Sequence, residues 1–497
     1  MALPFIDNET SLTREAVLRS ELKALTEESI AMNLYRDYFD GKQELVYSTV
    51  LFSEVFGTAF KGFKDNWMKV IINACNNRLK LLNFHFDDDD DDDIAKQIWK
   101  VLHRNDIAIQ QKDLHEGIMV EGRAFVIVWP DPTIGALVDW QPGQLCRVFY
   151  DPDRRSEPLW AVKRWTTETG EIYVTFYTPE YVYKFYDRGV GKGQKKPSSS
   201  SALTEIPDVG WFGNLEQRDV QGEVWPLPNP FNRVPVVEFP NTSYKSEIED
   251  AIPQQDALNK TLLDMLVTGE FQAFRQRAIE TLSSAPVDGW QAGAGEVWQF
   301  RPSFDADGKH LPVQFHEFAV ADPSTYMAPI RMWLEHMALT SSTPSRYFLS
   351  VDAGGRGDAP SGESLLVDDK PLNDKVEDKQ DRWDSKWMEV ARLIAVALKI
   401  NSADSLTGHS VWQDPRHDYR LSKLQEGQAM IEIGIPVEFV IRQLGFTPEE
   451  EVTVLAMIEE QKAEQEKRER EALAVAKTSG TVSANQPSTD IPSTTVS

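Results

Sequence analysis

The chain has 497 residues and a formal charge of -26, from 78 Asp and Glu against 52 Lys and Arg. Acidity on this scale argues against tight nonspecific wrapping of nucleic acid, which needs basic stripes, but it permits an acidic wall past which DNA slides. The two cysteines, Cys75 and Cys146, exclude a disulfide framework beyond one bridge and any Cys-based metal site, and they read as reduced core thiols. Apolar residues make up 41% of the chain, enough for real cores, and aromatics 10%, which argues against a disordered chain. The N-terminus lacks the basic-then-apolar pattern of a signal peptide, and no apolar run reaches the length of a membrane span. The expectation is a soluble protein that is not exported.

In chain order, Thr10 to about Tyr35 predicts a helix with Leu18, Leu22, Leu25 and Met32 on one side, and Gly41 ends that segment. A second helix is predicted from Asn66 to Leu82 through Trp67, Val70, Ile71, Ala74 and Leu79. Asp87 to Asp93 is a run of seven aspartates. Calcium and magnesium take carboxylate ligands, but such sites alternate ligands with spacers and a turn glycine, so the run reads as a solvated or helix-starting cluster. Ile94 to Gly122 returns to a helical period.

From Arg123 the period changes to two. Strands are predicted at Ala124–Trp129, Leu145–Tyr150, Leu159–Trp165, Ile172–Tyr177 and Tyr181–Tyr186, an antiparallel meander with turns at Pro130-Asp-Pro, Asp151-Pro-Asp, Thr169-Gly and Asp187-Arg-Gly. Gly189 to Ala202 reads as a basic hairpin tip, and Val234–Phe239 as one more strand. Ser246-Glu-Ile-Glu249 matches a capping box that opens a helix to about Leu282. Short strands are expected between Glu296 and Phe318. Asp322-Pro323 then caps a helix with Tyr326, Ile330, Trp333 and Met337 on one face.

The most informative stretch follows. A Gly-rich loop from Ser350 to Gly362 feeds one long helical pattern in which Leu365, Leu372, Val376, Trp383, Trp387, Ala391, Ile394 and Leu398 form a single apolar stripe. Asp368, Asp369, Lys370, Asp374, Lys375, Glu377, Asp378, Lys379, Asp381 and Arg382 lie between them, predicting a wet face or one that meets charge. At 1.5 Å per residue, 361–400 would span about 60 Å, bent at Pro371. Two further helices, 421–444 and 449–476, and a Ser/Thr/Pro-rich tail from Thr478 complete the chain.

Signatures of catalysis are thin. His115-Glu116 begins like a zinc-protease motif, but Met119 stands where the second ligand is needed. Gly354-Gly-Arg-Gly357 lacks the Lys-Ser/Thr of a phosphate loop and reads as a hinge. No catalytic, cofactor-binding or metal residue is assigned.

Three stretches together resemble the portal protein of tailed double-stranded-DNA bacteriophages, of the siphophage type. They are Tyr35-Arg-Asp-Tyr-Phe-Asp-Gly with the Asn66–Leu79 run behind it; Arg233-Val-Pro-Val-Val-Glu-Phe-Pro-Asn leading into Ser246–Lys260; and Ser361-Gly-Glu-Ser-Leu continuing to Pro371–Gln380. The resemblance covers roughly residues 10 to 445. It implies an α+β, elongated protomer with long helices, an antiparallel β-rich wing and a helical crown. The implied division is an N-terminal helix (1–33), a wing (34–245), stem helices (246–342) with clip strands at about 283–322, a tunnel loop (343–360), a long kinked helix (361–400), a crown (401–477) and a disordered tail (478–497).

The function it implies is a ring, typically of about twelve subunits, at one capsid vertex. Double-stranded DNA would pass through it nonspecifically in packaging and ejection. The implied partners are the terminase large subunit as packaging motor, the head-to-tail adaptor, and the major capsid and scaffolding proteins. No cofactor and no membrane is implied, and the location is the virion after assembly in the host cytoplasm. The tunnel loop would include Arg346, Tyr347, Phe348, Gly354, Gly355, Arg356 and Gly357, with Lys370 as a candidate channel-lining residue. Arg346 and Arg356 are its only cations, available for weak phosphate contacts unless these arginines pair with neighbouring carboxylates such as Asp352 and Asp358. The competing readings are a metal-dependent nucleic-acid enzyme using carboxylates and a protein-only cytosolic scaffold.

Overall fold

The computed structural model describes residues 8–44, 63–87, 93–154, 157–168, 171–187, 215–273, 277–281, 304, 306–309, 313–317, 322–349, 362–401 and 403–416, with short stretches between 427 and 460. Its architecture is mixed helix and antiparallel sheet, the α+β class expected. Two compact units are present. One comprises 1–80 and 85–409, the other 81–84 and 410–497.

In the larger unit, helix α1 (Asn8–Asp40) buries Leu18, Leu22, Leu25 and Met32, the side that its periodicity predicts. A short helix, α2 (Met68–Asn76), ends well before Leu82. The expected helix to Leu82 is instead helix followed by strand β1 (Leu81–Phe86), whose first four residues belong to the smaller unit; β1 pairs with a late strand, Gly408–Trp412. Leu81, Asn83, Phe84 and Phe86 of β1 are buried and His85 is exposed.

The single helix expected from Ile94 to Gly122 is two, α3 (Asp93–Arg104) and α4 (Ile107–Glu121). The break falls at Asn105 and Asp106. Asp106 adopts φ 53, a left-handed conformation that an α-helix does not tolerate. The Asn105 amide is used elsewhere: its Nδ2 donates to Val101 O at 2.8 Å and Ala136 O at 2.9 Å, and its Oδ1 accepts from Val138 N at 3.0 Å. It satisfies backbone groups on strand β3 (Gly135–Pro142), which lies at the edge of its sheet. That strand was absent from the sequence reading. Gly122 closes α4 with φ +82, and a Cβ there would lie 2.4 Å from Tyr244 O, so no other residue fits.

Strands β2 (Arg123–Asp131), β3 and β10 (Val236–Pro240) form a three-stranded antiparallel sheet in the order β10-β2-β3. Strands β4 (Cys146–Tyr150), β5 (Pro158–Thr166), β6 (Ile172–Tyr177) and β7 (Tyr181–Asp187) form four of the five strands of the expected meander, whose first, Ala124–Trp129, lies instead in the smaller sheet as β2. It is extended by β8 (Glu216–Gln217) and β9 (Leu227–Pro228), both on β7. One face of the meander packs Val174, Phe176, Tyr183 and Phe185 against Leu18 and Leu22 of α1. The other buries Val148, Ala161, Tyr177 and Val182 against Phe125, Ile127 and Val236 of the smaller sheet. The layers therefore run helix, sheet, sheet, each strand alternating between two apolar neighbours. Cys75 and Cys146 are both free and buried.

Helix α5 (Ile252–Ala273) begins after a 3-10 turn at Glu249–Ala251. The capping box expected at Ser246 is not formed, because Ile248 stands at the cap of that turn and Glu247, not Glu249, turns inward. The helix expected to reach Leu282 stops at Ala273. Antiparallel strands β11 (Arg277–Thr281) and β12 (Val313–Glu317) follow. Asp322 caps the next segment as predicted, its side chain accepting from Ser324 N at 2.9 Å. A 3-10 turn then leads into α6 (Met327–Thr340).

The long helix is present as α7 (Gly362–Ala397), 36 residues with Pro371 inside. Leu372, Val376, Trp383, Trp387, Ala391 and Ile394 are all at most 1% exposed. The stripe packs on β2 and β10. The Trp383 indole donates to Pro240 O at 3.0 Å, and Phe239 meets Trp387 edge-on at 5.2 Å. Asp88–Asp92, the loop 189–202, the tail from 478 and most of the two C-terminal helices lie outside the described residues.

Candidate functional site

The turn that leads into the Gly-rich segment is built from three neighbouring elements. After α6, Thr343 N donates to Ala338 O at 3.0 Å, and Pro344 directs the chain into a 3-10 turn, Ser345–Tyr347. Phe348 is 5% exposed, its ring 5.9 Å from that of Trp67 just before α2. Its ring is therefore an internal anchor rather than part of a surface. The Tyr347 hydroxyl accepts from Arg78 at 3.0 Å.

Arg346 is not a free cation. One guanidinium nitrogen donates to Asp368 at 2.6 Å and the other to Asp369. Arg78, from the turn after α2, reaches the same Asp369 at 3.2 Å and also donates to Asn373. The Arg78 and Asp369 side chains are 10% and 3% exposed. Pairing with carboxylates is the alternative that the sequence offers for Arg346, and the partners are acids of the long helix. Lys370 is exposed and pairs with Asp374 one turn on, at 2.8 Å. Gly354, Gly355, Arg356 and Gly357 lie outside the described residues.

Two turns along α7 is a second charged station. Glu247 is held by Lys375 at 2.5 Å and by Lys379, and Lys379 also donates to Asn241 Oδ1 at 2.8 Å. The Lys379 side chain is 2% exposed. Burial alone would raise the Glu247 carboxyl, but the two lysine charges and their hydrogen bonds overcome it and hold the group at about 2. Lys375 also donates to Ser341 O at 3.1 Å, tying α7 to the end of α6.

The His115-Glu116 pair resolves into two unrelated roles. His115 is fully buried and stacks on Trp383 at 4.9 Å, and burial pushes its imidazole down to about 3. Glu116 instead pairs with Arg36 at 2.8 Å. Among the described residues, no group of three or more His, Cys, Asp or Glu is placed to hold a metal ion. What these side chains do is fix a long helix to its surroundings at defined points, a mechanical arrangement.

The family model described as phage portal protein, SPP1 Gp6-like, matches residues 21–471. The chain belongs to that family. Portal proteins of this kind are structural, non-enzymatic components of the phage capsid. Among solved structures, the portal chain is similar to one in the virion of a native gene transfer agent particle, at 13% identity and a TM-score of 0.39, covering 74% of this chain and 84% of that chain. No curated protein matches it. Among its described residues, no helix is long and apolar enough to cross a membrane.

Proposed function

We propose that the chain closes into a ring at one capsid vertex, through which double-stranded DNA is packaged and ejected. The ring is the platform on which the terminase large subunit and later the head-to-tail adaptor dock, within a shell of major capsid and scaffolding proteins. The observation that carries this reading is the family match over residues 21–471. On this reading α1 is mostly the separate N-terminal helix, the two sheets belong to the wing, α5 and α6 are the stem, β11 and β12 belong to the clip, and the segment from 343 faces the channel. The clip strands then begin at Arg277, earlier than the expected 283.

A further feature supports assembly. On α6, Met332 and Leu339 lie seven residues apart on one face and are 40% and 78% exposed. Two large apolar groups on a helix that already has a buried face suit a neighbouring copy. The test is mass and shape. About twelve chains of 56.4 kDa would sediment near 680 kDa and show a central hole in negative stain. Converting Met332 and Leu339 to Asp should shift the population to single protomers, since each apolar side chain is worth about 2 kcal/mol when buried. Only monomer or dimer for the wild-type chain at micromolar concentration would overturn the ring.

A further inference from the structure

The turn Ser345–Tyr347 and the long helix Gly362–Ala397 lie on either side of residues 350–361 in the chain. The elements on either side of residues 350–361 are tied directly to each other, and the tie involves a third element distant in sequence. We propose that Arg78, Arg346, Asp368 and Asp369 form an electrostatic clamp that joins the turn Ser345–Tyr347 to the long helix. The two chain ends flanking 350–361 then move as one body, and Arg78 is the positioning residue.

The arrangement is balanced in charge, two guanidinium groups against two carboxylates, with Asp369 shared by both arginines. It is also graded in exposure. The inner pair, Arg78 and Asp369, is nearly dry. A buried pair of this kind persists only when several hydrogen bonds compensate for lost hydration, and Arg78 supplies them: Asp369, Asn373 and the Tyr347 hydroxyl. The outer pair, Arg346 and Asp368, has side chains 23% and 45% exposed. Solvent and salt screen that half.

A lysine at position 78 would keep the charge but lose the planar fork that reaches three partners together. Opposite the ions, the packing of Phe348 on Trp67 gives the turn a second, apolar attachment. A clamped turn passes any load on it into α7. The clamp itself is a property of the protomer and does not depend on the ring.

Hydrogen exchange on the full chain tests it through the amides of Tyr347, Phe348 and Leu349, which bond to Pro344 O at 3.0 Å and to Ser345 O at 3.0 and 2.9 Å. Arg346→Gln should raise their exchange about ten-fold while the meander β4–β7 is unchanged, and Arg78→Lys should do the same. The swapped pair Arg346→Asp with Asp368→Arg should restore protection relative to Arg346→Asp alone. Raising salt to molar levels should loosen the wild-type turn less than Arg346→Gln does, because the inner pair is buried. Unchanged exchange at 347–349 in both single variants, exchange that rises over the whole chain, or a swap no better than Arg346→Asp would each overturn the clamp. Sedimentation of the same samples reports ring closure separately, so loss of the ring with the clamp effect intact counts only against assembly.

Discussion

Replacing Glu247 with Gln is expected to lower protomer stability by about 3 to 5 kcal/mol. Among the described residues, Glu247 is the acid partner of both Lys375 and Lys379, and the Lys379 side chain is 2% exposed. Removing the carboxylate leaves two ammonium groups close together with one of them dry, and neutralising either costs free energy as well. Because the pair lies between the loop after β10 and the middle of α7, the loss should appear as a lower urea midpoint for the whole larger unit.

The acid dependence follows from the same group. Its folded value is depressed from 4.5 to about 2. Its contribution is therefore fully present above pH 4.5 and is lost as pH falls towards 2, an effect of about 3 kcal/mol. The variant should lack that part of the acid transition. Combining Glu247→Leu with Lys379→Met should recover much of the loss, since an apolar pair needs no compensation. A cost below about 1 kcal/mol for Glu247→Gln, or no recovery in the double variant, would show that the ions are solvated and the pairing incidental.

The long helix and the meander were legible because their patterns are strong. The stripe of α7 repeats at three, four and seven, and every described member from Leu372 to Ile394 is buried. The same stripe held a signal that the sequence reading did not use. Between Val376 and Trp383 the stripe skips one step, and the residue in that place is Lys379; between Leu365 and Leu372 the place belongs to Asp369. A charge at a stripe position is a buried charge, and a buried charge needs a partner from another element. The partners, Glu247 and Arg78, sit 132 and 291 positions away along the chain, and nothing local announces them.

The misses share a cause. Strand β3 reads Gly-Ala-Leu-Val-Asp-Trp-Gln-Pro, with only half its positions apolar, and its outer edge is satisfied by a side chain, Asn105, rather than by another strand. The break at Asp106 is likewise decided in three dimensions, where Asn105 bonds to β3. For the candidate site, the turn at 345–347 falls within the segment 343–360 that the sequence reading singled out as a loop. Carboxylate pairing of Arg346 was legible as an alternative, but not that the acids come from the long helix, and Phe348, assigned to a channel loop, has its ring buried against Trp67.

Acid should also destabilise the fold through His115, in a higher window than Glu247. Its imidazole is fully buried beneath Trp383, and desolvation depresses its folded value from 6.5 to about 3. Above pH 6.5 both states are neutral and the residue behaves as a flat core ring. Below 6.5 the unfolded chain gains a proton that the folded chain refuses, so stability falls by about 1.4 kcal/mol per pH unit, approaching about 5 kcal/mol near pH 3. Other groups act in the same range with the opposite sign. Glu121 and Glu238 have carboxyls raised by burial, and their protonation favours the folded state as pH falls. The comparison must therefore be between variants. His115→Leu should remove the His115 slope and leave the rest, so that between pH 6.5 and pH 5 wild type loses about 2 kcal/mol more than the variant. Urea unfolding at half-unit pH steps gives the difference directly. Parallel stability profiles for the two chains across that window would mean that His115 takes up its proton in place, and the dry stacked ring beneath Trp383 would have to be abandoned.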